Sequence, residues 1–145
     1  MKQSIIVTVL LTIFTSYSFA SPTEDVNTSI KTSFHQDFQN AQILSAESYQ
    51  NFTKLTFRMS DAVLSAFYTE NGELLAVTRN ILSSQLPLNL LGSLKKKFST
   101  YWITDLFEFD RDSQSCYYIS LENADTKMTL RSNGDSWELY SSVKK

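Results

Sequence analysis

The chain is poor in the residues that punctuate or staple small proteins. Only three glycines, two prolines, one cysteine and one histidine occur in 145 residues. Gly72, Gly92 and Gly134 stand apart, which leaves no glycine-rich phosphate loop and no flexible linker. The lone cysteine, Cys116, has no internal disulfide partner, and one Cys with one His cannot build a zinc site unaided. A basic excess is also missing: 13 basic residues face 15 acidic ones. That balance argues against a general nucleic-acid binder. Nor is there an apolar run of the roughly 20 residues that a membrane-crossing helix needs.

What is present begins with an export signal. Lys2 precedes a short apolar stretch from Ile5 to Phe14, and Ser18-Phe19-Ala20 places small residues at the two positions a signal peptidase reads. The sequence therefore predicts a signal peptide over 1–20, cleaved after Ala20, with no stable membrane anchor and a periplasmic or secreted bacterial product. The rest, Ser21 to Lys145, suits one domain with a real core. Two Asn-x-Ser/Thr triplets, at Asn27 and Asn51, are chance-level signals in an exported bacterial protein.

Two segments carry helical period. Val26, Ile30, Phe34, Phe38 and Ala41 recur at three- or four-residue steps, which predicts a helix over 25–41. Leu88, Leu91, Leu94, Phe98 and Tyr101 predict a second over 86–101, with Ser84 as N-cap, Pro87 in the first turn and Lys95-Lys96-Lys97 towards its C-terminal end. The remainder alternates with period two, as in Leu55, Phe57 and Met59, and in Tyr117, Ile119 and Leu121. That is the pattern of an antiparallel sheet with one face buried and one wet. Eight strands are predicted, near 43–49, 53–60, 62–70, 73–80, 103–110, 115–122, 126–132 and 135–142. Asn71-Gly72 and Asn133-Gly134 are two-residue hairpin signals.

A shift of about 60 residues lays Phe34 and Phe38 on Leu94 and Phe98. With two extra residues in the next loop, Leu55, Phe57 and Met59 fall on Tyr117, Ile119 and Leu121, and Asn71-Gly72 on Asn133-Gly134. The expectation is an α+β fold: two tandem repeats of a helix plus a four-stranded antiparallel meander, helices packed on one face of the sheet. Repeat one spans about 25–80 and repeat two about 84–142, within a single duplicated domain over 21–145. With too little Gly and Pro for a linker, the halves are expected to share one core or one continuous sheet.

The run Phe67-Tyr68-Thr69-Glu70-Asn71-Gly72-Glu73-Leu74-Leu75-Ala76-Val77-Thr78-Arg79, followed by Gln85-Leu86-Pro87, is a hairpin ending in a basic residue and then a Leu-Pro helix entry. In this the chain resembles the beta-lactamase-inhibitor-like, PepSY-like family of small secreted bacterial proteins. The resemblance implies helices on one face of an antiparallel sheet, a concave opposite face, and binding or inhibition of other proteins. It brings no catalytic residue. The named inhibitors of that fold group rely on disulfides and specific loop residues, so inhibition of a beta-lactamase in particular does not follow for a chain with one cysteine.

Candidate chemistry is sparse. Asp105, Glu108, Asp110 and Asp112 crowd one stretch, but they flank an expected hairpin turn. Asp110-Arg111-Asp112 opens like a calcium loop, yet lacks the glycine at the sixth position and the glutamate at the twelfth, where Leu121 stands. His35 sits beside the Phe34/Phe38 stripe, an ordinary boundary position, so a Cys116/His35 pair has little support. Lys95-Lys96-Lys97 reads as a solvated helix flank.

The aromatics and arginines give the sharper expectation. Arg58 lies between inward Phe57 and Met59, and Tyr118 between Tyr117 and Ile119. Arg131 follows Leu130, Phe67 follows Ala66, and Tyr140 follows Leu139. Parity puts all five on the face away from the helices. Arg and aromatic side chains together suit a protein-binding surface; cross-strand pairing on a wet face explains them equally. The leading reading is thus an exported, non-catalytic binding or inhibitory module acting through an open sheet face. Its expected partner is another exported or cell-envelope protein, with no cofactor, metal or nucleic acid. The alternatives are a periplasmic carrier of a small apolar ligand between helices and sheet and, more remotely, a hydrolase-type enzyme using Asp110/Asp112 or His35.

Overall fold

A computed structural model describes residues 26–112 and 114–145. The expected signal peptide over 1–20 lies outside the described residues. Asn27 starts the first helix: its side chain accepts a hydrogen bond from the Ser29 backbone N–H at 2.9 Å, satisfying a donor that the first turn leaves unpaired. Helix α1 runs Thr28–Asp37 and buries Ile30 and Phe34, four residues apart on one face. The chain leaves the helix at Phe38 and turns through Asn40, whose φ is 65°. Asn tolerates this left-handed conformation better than most residues. Strands β1 (Gln42–Ser48), β2 (Thr53–Met59), β3 (Ala62–Tyr68) and β4 (Leu74–Asn80) follow.

A single 3-10 turn at Ser83–Gln85 leads to α2, Leu88–Lys97, with Pro87 as its N-cap. Then come β5 (Trp102–Arg111), β6 (Gln114–Glu122), β7 (Thr126–Asn133) and β8 (Ser136–Lys144). The strands begin and end within two residues of the positions expected from alternation. All eight form one antiparallel sheet in the order β1 to β8.

This corrects the expected fold class. The protein is not two helix-plus-four-strand repeats in an α+β arrangement. Among the described residues it is one continuous eight-stranded antiparallel sheet with two short helices of ten residues each. Val77 to Asn80 of β4 pair with Asp110 to Phe107 of β5, so hydrogen bonding runs unbroken through the middle. The expected helices, 25–41 and 86–101, were too long because apolar spacing continues past the helix ends. Phe38 and Ala41 still pack against the α1 core although both lie beyond α1.

Alternation divides the core between the two faces. Under α1, Ile30 and Phe34 meet Leu55, Phe57, Ala66 and Tyr68. The Phe34 and Phe57 rings stand edge to face with centroids 5.0 Å apart. Under α2, Leu94 meets Leu106, Ile119, Leu121 and Leu130. The α2 stripe is rotated from expectation: Leu90 is buried, Leu91 only partly, and Leu88 is 86% exposed. Leu88-Asn89-Leu90-Leu91 offers two helical stripes, and period alone does not choose between them.

The opposite face is not simply wet. Phe52, Phe67, Ala76, Phe107, Phe109 and Tyr118 form their own buried cluster there.

Candidate binding site

The site is built on strands β5 to β8, on the face away from both helices. Hairpin register sets Phe107 opposite Tyr118 and Phe109 opposite Cys116. It then sets Tyr118 opposite Arg131, and Arg131 opposite Glu138. Cross-strand neighbours on one face touch, and this row does. Phe107 stacks on Tyr118 at 5.3 Å, while Phe109 and Tyr140 stand edge-on to it at 5.9 and 5.5 Å. The Arg131 guanidinium lies 5.9 Å from the centre of the same ring, within cation–π range.

These residues wall a half-open pocket of about 540 Å³ between the β5–β6 and β7–β8 hairpin ends, with Phe109, Cys116, Tyr118, Arg131, Asn133 and Tyr140 in its lining. Tyr118 is 1% exposed. Burial pushes its hydroxyl far above the usual range, with the neighbouring Cys116 adding to this and Arg131 opposing it, so the hydroxyl stays protonated and remains a donor. Among the described residues it has no hydrogen-bond partner; the Cys116 thiol is beside it but not in bonding geometry. Arg131 is held more firmly charged, first by contact with Cys116, against the cost of its own partial burial. Arg111, the other arginine of the lining, is paired with Asp112 at 3.3 Å.

Of the five residues expected to form an open face, three come together here: Tyr118, Arg131 and Tyr140. Arg131 is exposed and Tyr140 half-buried, but Tyr118 is closed over. Phe67 is 2% exposed and belongs to the far side of the same apolar cluster, its ring 5.8 Å from Phe52. Arg58 is exposed on β2 opposite Val63, apart from the others. The picture of an open aromatic face is therefore corrected for Phe67 and Tyr118, which are core. Sequence reasoning overlooked Cys116, Phe107 and Phe109 as neighbours of the site. The signal was the Phe107-Glu108-Phe109 alternation read against the length of the β5–β6 hairpin.

The other candidates disperse. Alternation in β5 places Glu108 and Asp110 on the opposite face from Asp105. Glu108 pairs with Arg79 at 2.7 Å, and Asp110 accepts from Ser115 Oγ at 2.8 Å. His35 is exposed on α1, across the sheet from Cys116. Among the described residues, no group of three or more His, Cys, Asp and Glu side chains is placed to hold a metal ion. No described helix is long and apolar enough to cross a membrane. The space between helices and sheet, where a carrier would hold its ligand, is occupied by Phe34, Phe38 and Phe57 in mutual ring contact and by Leu94 against Ile119 and Leu121.

Solved structures share this arrangement. A BLIP-like protein from Bacteroides fragilis superposes with a TM-score of 0.67 at 12% identity, covering 91% of each chain. The fold is BLIP-like. A DUF2874 family protein from Bacteroides uniformis gives 0.70 at 9% identity, over 81% of this chain and 88% of that one. A candidate periplasmic protein from Bacteroides eggerthii gives 0.70 at 11% identity, over 88% and 90%. None of these carries a PepSY description, so only the inhibitor-like half of the resemblance finds a counterpart. At such identities the likeness is one of fold alone. No family model and no curated protein matches the sequence.

Proposed function

We propose that the chain is an exported, non-catalytic binding module that docks another exported or cell-envelope protein. Docking uses the sheet face away from the helices, at its β6–β8 end. The observation that carries this reading is Arg131 lying across the buried Tyr118 ring beside Tyr140, at the mouth of a pocket. An arginine and an aromatic residue on a rigid sheet, half-sunk and backed by a packed cluster, have the composition of an interface hot spot. The BLIP-like fold and the dispersal of the carboxylates support the same reading.

The test is capture from an extract of exported and envelope proteins with the immobilised protein, its Arg131→Ala form and its Tyr140→Ala form. The wild type should retain a defined partner that both variants release, with all three equally folded by circular dichroism. Equal capture by all three forms would remove this face from the function.

A further inference from the structure

We propose that the pocket at the β5–β8 end binds the carboxylate of an aspartate or glutamate side chain presented by the partner protein, held between Arg131 and the Tyr118 hydroxyl. The proposal rests on the reading of this face as a protein-docking surface and names what the face recognises.

Three observations converge. First, Arg131 is the unpaired cation of the pocket. Arg111 is tied to Asp112, and Glu138, which register places opposite Arg131, instead accepts from Asn133 Nδ2 at 2.6 Å. Among the described residues no carboxylate lies within ion-pair distance of Arg131, and the Asn133–Glu138 bond holds its nearest competitor aside. Second, Tyr118 brings a buried donor that no described residue satisfies. A buried hydroxyl left unpaired costs about 1–3 kcal/mol, so its place in a pocket wall calls for an acceptor. Arg131 lies over the ring with an exposed, flexible stem. Arg131 and Tyr118 both line the pocket, so an anion entering it meets the guanidinium beside the ring that carries the unpaired hydroxyl.

Third, the charge and walls select the ligand. One guanidinium and one neutral hydroxyl match a single negative charge on a planar, two-oxygen group. A phosphate dianion would call for a second cation. Phe109, Cys116 and Tyr140 offer an apolar lining to the methylene stem behind the carboxylate.

The experiment titrates isotope-labelled protein with N-acetyl-glutamate N-methylamide, its glutamine counterpart, and N-acetylglycine as a terminal carboxylate, following backbone amide shifts. The glutamate probe should move amides of residues 115–118 and 131–134 saturably, and the glutamine probe should not. Arg131→Gln should weaken the glutamate probe by about tenfold or more, in line with a charged hydrogen bond. Tyr118→Phe should weaken it several-fold with the spectrum otherwise preserved. Asn133→Ala, which lets Glu138 close on Arg131, should also weaken it.

Equal binding of the glutamate and glutamine probes, shifts elsewhere, or full binding by Arg131→Gln would overturn the proposal. Should Tyr118→Phe fail to fold, Arg131→Gln still decides, since Arg131 lies outside the core. Tighter binding of N-acetylglycine would overturn the choice of a side chain over a chain terminus. Absence of probe binding with partner capture intact sinks the pocket and leaves the docking face standing. Probe binding with no partner captured sinks the docking reading, and with it the partner's side chain as occupant.

Discussion

Trp137 of β8 donates its indole N–H to the Leu90 carbonyl of α2 at 3.0 Å. This bond fastens the edge strand to the helix across the apolar layer that Leu94, Ile119 and Leu130 fill. Trp137→Phe keeps the ring and removes the donor, so it should cost about 0.5–1.5 kcal/mol. Trp137→Ala also opens a cavity and should cost about 3–5 kcal/mol. Urea unfolding followed by far-UV circular dichroism measures both. No loss in Trp137→Phe beside a large loss in Trp137→Ala would mean that packing alone joins β8 to α2.

Gly72 and Gly134 both have positive φ, at 83° and 56°, but they differ in surroundings. A Cβ on Gly72 would stand 2.7 Å from Ser33 Oγ and 2.9 Å from the Ser29 carbonyl oxygen, because the β3–β4 turn is pressed on α1. Asn27 Nδ2 closes the same contact by donating to the Glu70 carbonyl at 3.1 Å. A Cβ on Gly134 meets open space. Gly72→Ala should therefore cost about 2 kcal/mol or more, combining backbone strain with a clash against main chain. Gly134→Ala should cost about 1 kcal/mol, and Gly134→Asn less. Comparable thermal midpoints for Gly72→Ala and Gly134→Ala would show that the turn moves freely off the helix.

Much of this was legible in the residues. Leu55, Phe57 and Met59 alternate with Lys54, Thr56 and Arg58 cleanly enough to place β2 within a residue, and Gly134 marks the β7–β8 turn. Two kinds of information were not. Alternation assigns Phe67 and Tyr118 to a face but does not say whether that face is covered. Their burial comes from aromatics of other strands, Phe52, Phe107 and Phe109, brought in by register. Helical spacing likewise left the phase of α2 open between Leu88 and Leu90. The low glycine and proline counts left open whether the halves share one core or one continuous sheet, which the pairing of β4 with β5 decides. Of the site, parity placed Arg131, Tyr118 and Tyr140 on the face away from the helices, but it did not show that Tyr140 is half-buried there and Tyr118 closed over. Cys116 and Phe109 became neighbours only through the β5–β6 pairing.

Asp105 gives a stability-versus-pH prediction. Burial pushes its carboxyl above the ordinary value of 3.8, with the Leu106 backbone N–H and the Lys127 charge countering in part. The folded state then binds the proton more tightly than the unfolded one. Stability contributed by this group is present at low pH and is lost as pH rises from the unfolded value through the raised folded one. Asp105→Asn should raise stability at pH 7, and the gain should vanish below about pH 3, where Asp105 is protonated in both states. Urea midpoints of the two proteins at pH 7 and pH 3 make the comparison. A variant less stable at pH 7, or a gap that persists unchanged at pH 3, contradicts it.

Tyr118 separates packing from hydrogen bonding at one position. Its ring is stacked on Phe107, flanked by Phe109 and Tyr140, and 1% exposed. Its hydroxyl is satisfied by none of the described residues. Tyr118→Ala removes the ring from the centre of the cluster and should cost about 3–5 kcal/mol. Tyr118→Phe keeps the packing and removes a buried donor that the folded state leaves unpaired while the unfolded chain hydrates it. The variant should therefore match the wild type or exceed it by up to about 1 kcal/mol. A group retained at a cost to stability points to use elsewhere, so the same substitution should weaken carboxylate binding while it strengthens the fold. Chemical denaturation of the unliganded proteins tests the first half. A loss of more than about 1 kcal/mol in Tyr118→Phe would show that the hydroxyl has a partner in the folded protein, and the case for an acceptor from outside would then fall.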